Sequence, residues 1–347
     1  MTTAAYRQII AASPRDRLDL FLATANRIGA PVGNVEKDFW VCWTLNALYH
    51  ERPAGEPRLL FKGGTSLSKG YDLIKRFSED IDITVFRDDL EEPASVEELE
   101  ALSNKKRRAK LDAIRDACRA YITGPLNAFL ATQLADVTDG AGRVEIDDAD
   151  PDGQTLLLWY PEVEPRDGAY VRPAIRLESG AKSALDPHGP LTITPYVAGD
   201  AAGVDLAVQD VTTIDATRTF WDKVTIAHGL RRWYERRGEL RQAGQRVSRH
   251  YYDLHCLMQS ETGKAALADL DLGADCVRHA RMFFDRPDYD LASAVPGSFA
   301  IEPVPGMVDA LARDYANTTA MIFGAAPSFD DIMGSAGQIE KSLNGGK

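Results

Sequence analysis

A chain of 347 residues that is 44% hydrophobic and 27% charged has the composition of a folded globular protein of about two domains, which excludes general disorder. Its net charge of −12 argues against a uniformly basic nucleic-acid binder, but seven acids fall in each of two segments, 88–100 and 136–152; the rest is near neutral and leaves room for basic patches. No run approaches the ~18 apolar residues of a membrane-spanning helix, and the opening MTTAAYRQIIAASPRDR has no basic stretch leading into an apolar one, so a cytoplasmic protein without a membrane partner is expected.

Along the chain, Leu18, Leu20, Phe21, Leu22 and Ile28 recur at helical spacing over 15–29. Phe39, Trp43, Leu45 and Leu48 mark the buried face of a second helix over 36–49. Arg58–Phe61 reads as a short strand, and Gly63-Gly64-Thr65-Ser66 as a tight turn opening a helix. Ser78–Phe86 alternates strictly, with Ile81, Ile83 and Val85 on one face and Asp80, Asp82 and Thr84 on the other. A Lys- and Arg-rich helix follows at about 101–123, then an acidic surface loop over 140–154. Strands are expected at 155–160, 171–178, 191–197 and 204–209, helices at 217–237, 246–260 and 306–323, and a frayed polar tail from Ser335. Cys42, Cys118, Cys256 and Cys276 are widely spaced without a CxxC pair, so neither a zinc site nor a disulfide framework is expected. The pattern divides into an α/β domain over 1–215 and a mainly helical domain over 216–347.

The chemistry concentrates at the glycine turn and the strand after it. Two carboxylates two apart on a strand project from one face, so Asp80 and Asp82 can hold one or two Mg²⁺ ions by oxygen ligation. Alone, such a pair is most often a solvated strand face. Coupled to a glycine turn whose backbone N–H groups can meet a phosphate, it suits a nucleoside triphosphate with its metal. The phosphate loop G-x-x-x-x-G-K-[ST] is absent, and Lys62 precedes the glycines instead of following them.

The run FKGGTSLSKGYDLIKRFSEDIDITVF over 61–86 resembles the signature of the AbiEii/AbiGii toxin family of nucleotidyltransferases. That family belongs to the DNA-polymerase-β-like superfamily, and its members, MenT-type toxins among them, are often the toxin half of a toxin–antitoxin pair. Weaker echoes follow the expected order at Glu36-Lys37-Asp38, Ile175-Arg176-Leu177-Glu178, Asp222-Lys223 and Tyr252-Asp253-Leu254. The resemblance implies a polymerase-β-like α/β fold with a mixed sheet and a helical C-terminal domain. It implies that Gly63, Gly64, Thr65 and Ser66 hold the β,γ-phosphates, that Asp80 and Asp82 ligate Mg²⁺ or Mn²⁺, and that Glu178 is the candidate third carboxylate. Glu178 would meet the metal only if its strand neighbours 80–85; otherwise Arg176 and Glu178 form a pair on their own strand. Lys223 would neutralise triphosphate charge and aid the leaving pyrophosphate, or is an ordinary helix-surface lysine. Asp253 would position Lys223, bind nucleotide or activate the acceptor, or pairs with Arg249 one turn away.

Two basic segments complete the reading. Residues 105–119 carry seven Lys and Arg, and 231–249 carry Arg231, Arg232, Arg236 and Arg237 near Trp233 and Tyr234. Arginines with aromatics suit an RNA backbone and stacked bases, although each segment also reads as a solvated helix face. The expected function is a metal-dependent nucleotidyltransferase toxin. It transfers a nucleoside monophosphate from an NTP to RNA, at the 3′ end of tRNA by resemblance, and so blocks translation; a cognate antitoxin is the implied partner. Transfer to a protein hydroxyl and a non-catalytic nucleotide-binding module are the alternatives.

Overall fold

A computed structural model of the chain describes residues 2–78, 80–164, 172–241, 246–319 and 321–345. In chain order the first half runs α1 (Thr2–Ile10), α2 (Pro14–Ile28), α3 (Val32–Asn46), β1 (Leu59–Lys62), α4 (Gly63–Thr65), β2 (Asp80–Val85), α5 (Val96–Ala101), α6 (Asn104–Tyr121) and α7 (Asn127–Val137). Strands β3 (Arg143–Ile146), β4 (Thr155–Trp159), β5 (Ala174–Gly180), β6 (His188–Ile193) and β7 (Val208–Ile214) follow. Helices α8 (Ala216–Arg237), α9 (Ser248–Met258), α10 (Glu261–Ala268), α11 (Leu270–Phe283), α12 (Pro305–Thr319) and α13 (Phe329–Leu343) complete the chain. Among the described residues no helix is long and apolar enough to cross a membrane.

The chain divides into two compact units. The first holds Met1–Gly70, Phe77–Ala94 and Asn104–Thr213; the second holds Tyr71–Arg76, Ser95–Ser103 and Ile214–Lys347. Relative to the expected division after residue 215, two short stretches join the second unit. The reason for the first is visible in its bonds: Lys75 N–H donates to the Tyr252 hydroxyl, Phe323 N–H donates to Lys75 O, and Arg76 bridges Ile322.

The first unit is built on a mixed seven-stranded sheet in the order β3-β4-β5-β2-β1-β7-β6. At its centre β2 runs antiparallel to β1 and parallel to β5. Ile81 and Ile83 are fully buried on one face, as the alternation of 80–85 requires. The region expected as an acidic loop over 140–154 contains β3, paired with β4. Its residues are mostly exposed, as befits an edge strand, and an edge strand lacks the apolar alternation that announces a half-buried one. The part of the expected strand 171–178 at Val171 lies outside the described residues.

The turn after β1 is anchored from below. Lys69 has a side chain only 5% exposed and pairs with Asp38 of α3 at 2.8 Å, its ammonium 3.6 Å from the Tyr196 ring centre. Asp38 also accepts from Tyr196 N–H at 2.6 Å. Burial raises the Asp38 carboxyl and Lys69 opposes it. Its neighbours Glu36 and Lys37 are buried too, Glu36 accepting from Val163 N–H and Lys37 donating to Arg172 O. The Glu36-Lys37-Asp38 echo is therefore a buried polar brace.

The second unit packs α8 against α9, α10 and α11, and α9 against α12 and α13. The tail expected to fray from Ser335 is instead part of α13, with Ser335, Ala336, Ile339 and Leu343 buried. Its start is fixed by a capping box between Ser328 and Asp331. The apolar positions at 332, 336, 339 and 343 carry the helical spacing, but polar residues between them hide it.

Candidate active site

Lys62, Gly63 and the hydroxyls after them set the first half of the site. Gly63 has φ +81°, and a Cβ there would fall deep inside contact distance of the Asp82 carboxylate. A bare glycine is what allows Asp82 to lie directly against the turn. Asp82 itself is opposite Lys62 in the β1–β2 register. Thr65 and Ser66 are fully buried. The Thr65 hydroxyl donates to Asp80 O and accepts from the Ser78 hydroxyl, and the Ser66 hydroxyl donates to Gly63 O at 2.9 Å. These two hydroxyls therefore join the turn to the start of β2 and hold the turn in shape. The Thr65 and Ser66 hydroxyls are thus occupied within the protein.

The β2–β5 register decides what faces the carboxylates. Asp80 is opposite Arg176 and Asp82 opposite Glu178. Partners in adjacent strands share a face, so Asp80, Asp82, Arg176 and Glu178 stand on one side of the sheet. The strand of Glu178 thus neighbours β2, which was the condition for it to approach a metal. The alternative contact is present as well: Arg176 Nη1 donates to Glu178 Oε1, and Arg176 Nε donates to Asp147 Oδ2 at 3.1 Å. Among the described residues no three carboxylate, thiol or imidazole groups converge as a metal cage. The donor chemistry of β2 still fits a hard divalent cation, since it offers two carboxylates on one face, Asp82 held against a glycine turn.

The second unit carries its own charged cluster. Asp253 on α9 is fully buried. Arg76 grips it in a fork, Nε to Oδ1 at 2.8 Å and Nη2 to Oδ2 at 2.9 Å, and Lys223 of α8 reaches Oδ2 at 2.7 Å. Burial alone would raise this carboxyl; the Arg76 and Lys223 charges overcome it and hold Asp253 well below the ordinary carboxylate range. Burial lowers the Lys223 ammonium, with Asp253 opposing. Lys223 is 6% exposed, which sets aside the reading of it as a surface lysine. Arg76 had no assigned role in the sequence reading. Its signal was its place inside the 61–86 signature, but its partner lies 177 positions away.

The arginines expected to face RNA, Arg231, Arg232, Arg236 and Arg237, all have partners within the protein. Arg231 donates to Glu235, Glu340 and Glu302 O. Arg232 donates to Glu235 and Ser298 O. Arg236 donates to Pro287 O, and Arg237 pairs with Asp288 while lying over the Trp233 ring. Guanidiniums engaged in this way brace the end of α8 against the segments after it, while Arg236 and Arg237 remain about half exposed. Arg231→Ala is accordingly expected to lower stability by about 1–2 kcal/mol through the lost charge-assisted bonds, without changing RNA affinity. Thermal melts and a filter-binding titration read the two effects separately.

The family described as "Nucleotidyl transferase AbiEii toxin, Type IV TA system" matches residues 46–335. No curated protein matches the sequence. Among the solved structures that match is the MenT4 nucleotidyltransferase toxin of Mycobacterium tuberculosis H37Rv, at 15% identity and a TM-score of 0.43, covering 93% of this chain and 97% of that one.

Proposed function

The chain belongs to the AbiEii family of nucleotidyltransferase toxins of type IV toxin–antitoxin systems, and from that premise we propose that it transfers a nucleoside monophosphate from an NTP to RNA, at the 3′ end of tRNA. The observation that carries this reading is the placement of Asp80 and Asp82 on one face of β2, with Asp82 seated against Gly63. In the proposed reaction the acceptor hydroxyl oxygen bonds to the α-phosphorus and loses its proton. The α–β phosphoanhydride bond breaks and pyrophosphate leaves. A divalent ion, Mg²⁺ or Mn²⁺, would supply charge neutralisation at the α-phosphate when bound. Asp80 and Asp82 would hold it, and the Gly63–Gly64 backbone would orient the phosphates.

Lys223 is assigned to neutralise polyphosphate charge, with Asp253 and Arg76 as the groups that fix its ammonium. A lysine immobilised in this way meets developing charge without reorganising. Modification of the tRNA 3′ end would prevent aminoacylation and so stop translation in the cytoplasm, and a cognate antitoxin would restrain it.

The test supplies purified protein with Mg²⁺, total tRNA and each α-labelled NTP in turn. Label on tRNA from one nucleotide, lost in Asp80→Asn/Asp82→Asn, is the expected result. Label on protein would replace the RNA acceptor with a protein hydroxyl. NTP binding with neither label nor pyrophosphate would leave a non-catalytic nucleotide-binding module.

A further inference from the structure

Asp80, Asp82, Arg176 and Glu178 share one face of the sheet, with Lys62 opposite Asp82 and Asp147 bonded to Arg176. Parallel pairing of β2 with β5 sets Arg176 opposite Asp80 and Glu178 opposite Asp82. Arg176 is 32% exposed and bridges two carboxylates, Glu178 on its own strand and Asp147 just past β3. Its charge is further favoured by Asp80. A guanidinium is planar, presents several donors in a fixed fork and stays protonated at any working pH. Its fork can hold Glu178 and Asp147 at once, which a lysine's single ammonium does less well.

We propose, building on the reading of Asp80 and Asp82 as metal ligands, that Arg176 is a positioning residue that keeps Glu178 out of the metal's coordination sphere and thereby keeps the site weak for a free divalent cation. The consequence is an order of binding. A site with two carboxylates depends on the nucleotide's own phosphate oxygens to complete the coordination of a hard cation, so the metal enters with the nucleotide. Glu178, the third carboxylate by position, serves as the counter-anion of Arg176.

The experiment titrates the full-length protein with Mn²⁺ alone and reads free Mn²⁺ by electron paramagnetic resonance, with no nucleotide present. Arg176→Gln is expected to tighten Mn²⁺ binding about tenfold, by removing a nearby positive charge and releasing a third carboxylate, while Glu178→Gln shifts it within about threefold. The double variant Arg176→Gln/Glu178→Gln is expected to lose the gain. Unchanged binding in Arg176→Gln, a gain that survives in the double variant, or a tenfold weakening by Glu178→Gln alone would each overturn the proposal.

Asp80→Asn/Asp82→Asn separates this outcome from failure of the underlying reading. If that variant binds Mn²⁺ as the wild type does, the metal assignment itself falls. Melting temperatures of all variants report whether the fold is intact. If Arg176→Gln does not fold, Arg176→Lys tests the release of Glu178 alone, with a smaller gain expected, because a lysine keeps the charge but lacks the fork that bridges both carboxylates. Tightening that disappears in Arg176→Lys/Glu178→Gln supports the proposal, and no tightening overturns it.

Discussion

Asp253→Ala is expected to destabilise the protein by about 3–5 kcal/mol, because it leaves two cations buried without their anion. The carboxylate is fully buried and is bound by both Arg76 and Lys223. Urea unfolding followed by tryptophan fluorescence measures the loss; a change below about 1 kcal/mol would mean that the two cations find other partners or water. In the wild type the Asp253 carboxyl is held below its ordinary value. Its contribution is therefore complete above about pH 4 and is lost as the pH falls below that toward the depressed native value.

The gentler Asp253→Asn exposes a second dependence, of the same sense but at higher pH. Burial and the Arg76 charge already lower the Lys223 ammonium, and only Asp253 among its major neighbours raises it. Without that anion the native state releases the lysine proton at lower pH than the unfolded chain, whose lysines titrate near 10.4. The unfolded state then binds more protons, so the variant should gain stability as the pH rises from 7 toward 10, more steeply than the wild type. A flat profile would show that Lys223 stays charged by other means.

Gly63→Ala, which retains both carboxylates, is still expected to cost much of the proposed activity. The added Cβ would overlap the Asp82 carboxylate, at a backbone angle of +81° that L residues rarely adopt. Asp82 must move or the turn must open, and misplacement of a catalytic group by about 1 Å can lower the rate about 100-fold. On the proposed function, transfer of α-label to tRNA should fall by that order. Equal activity would show that Asp82 can work away from the turn.

The alternation of Asp80-Ile81-Asp82-Ile83 needed only the two-residue period of a strand to place both carboxylates on one face, and that was legible in the sequence. The glycine turn was legible for a similar reason, since positive φ is a local property of residue 63. The family signature lies within 26 consecutive residues, 61–86, so it too could be read without any long-range contact. Helix α13 shows where local reading stops: its buried side is defined by what packs on it, and polar residues between 332 and 343 masked the spacing.

The partners of the charged groups were beyond the sequence altogether. Nothing local joins Arg76 to Asp253, or tells whether Glu178 faces Asp82, because strand order and register are set by packing across the whole sheet. Nor does a run of arginines reveal whether its charges are free. Arg231, Arg232, Arg236 and Arg237 read as a run of charges in the string, and only the fold brings Glu340, Ser298, Pro287 and Asp288 beside them. The sequence by itself determined the chemistry-bearing residue types and their local faces, because those follow from periods of a few residues. Only the tertiary structure decided which charges meet, because an ion pair depends on distance in space and the chain records distance only along itself.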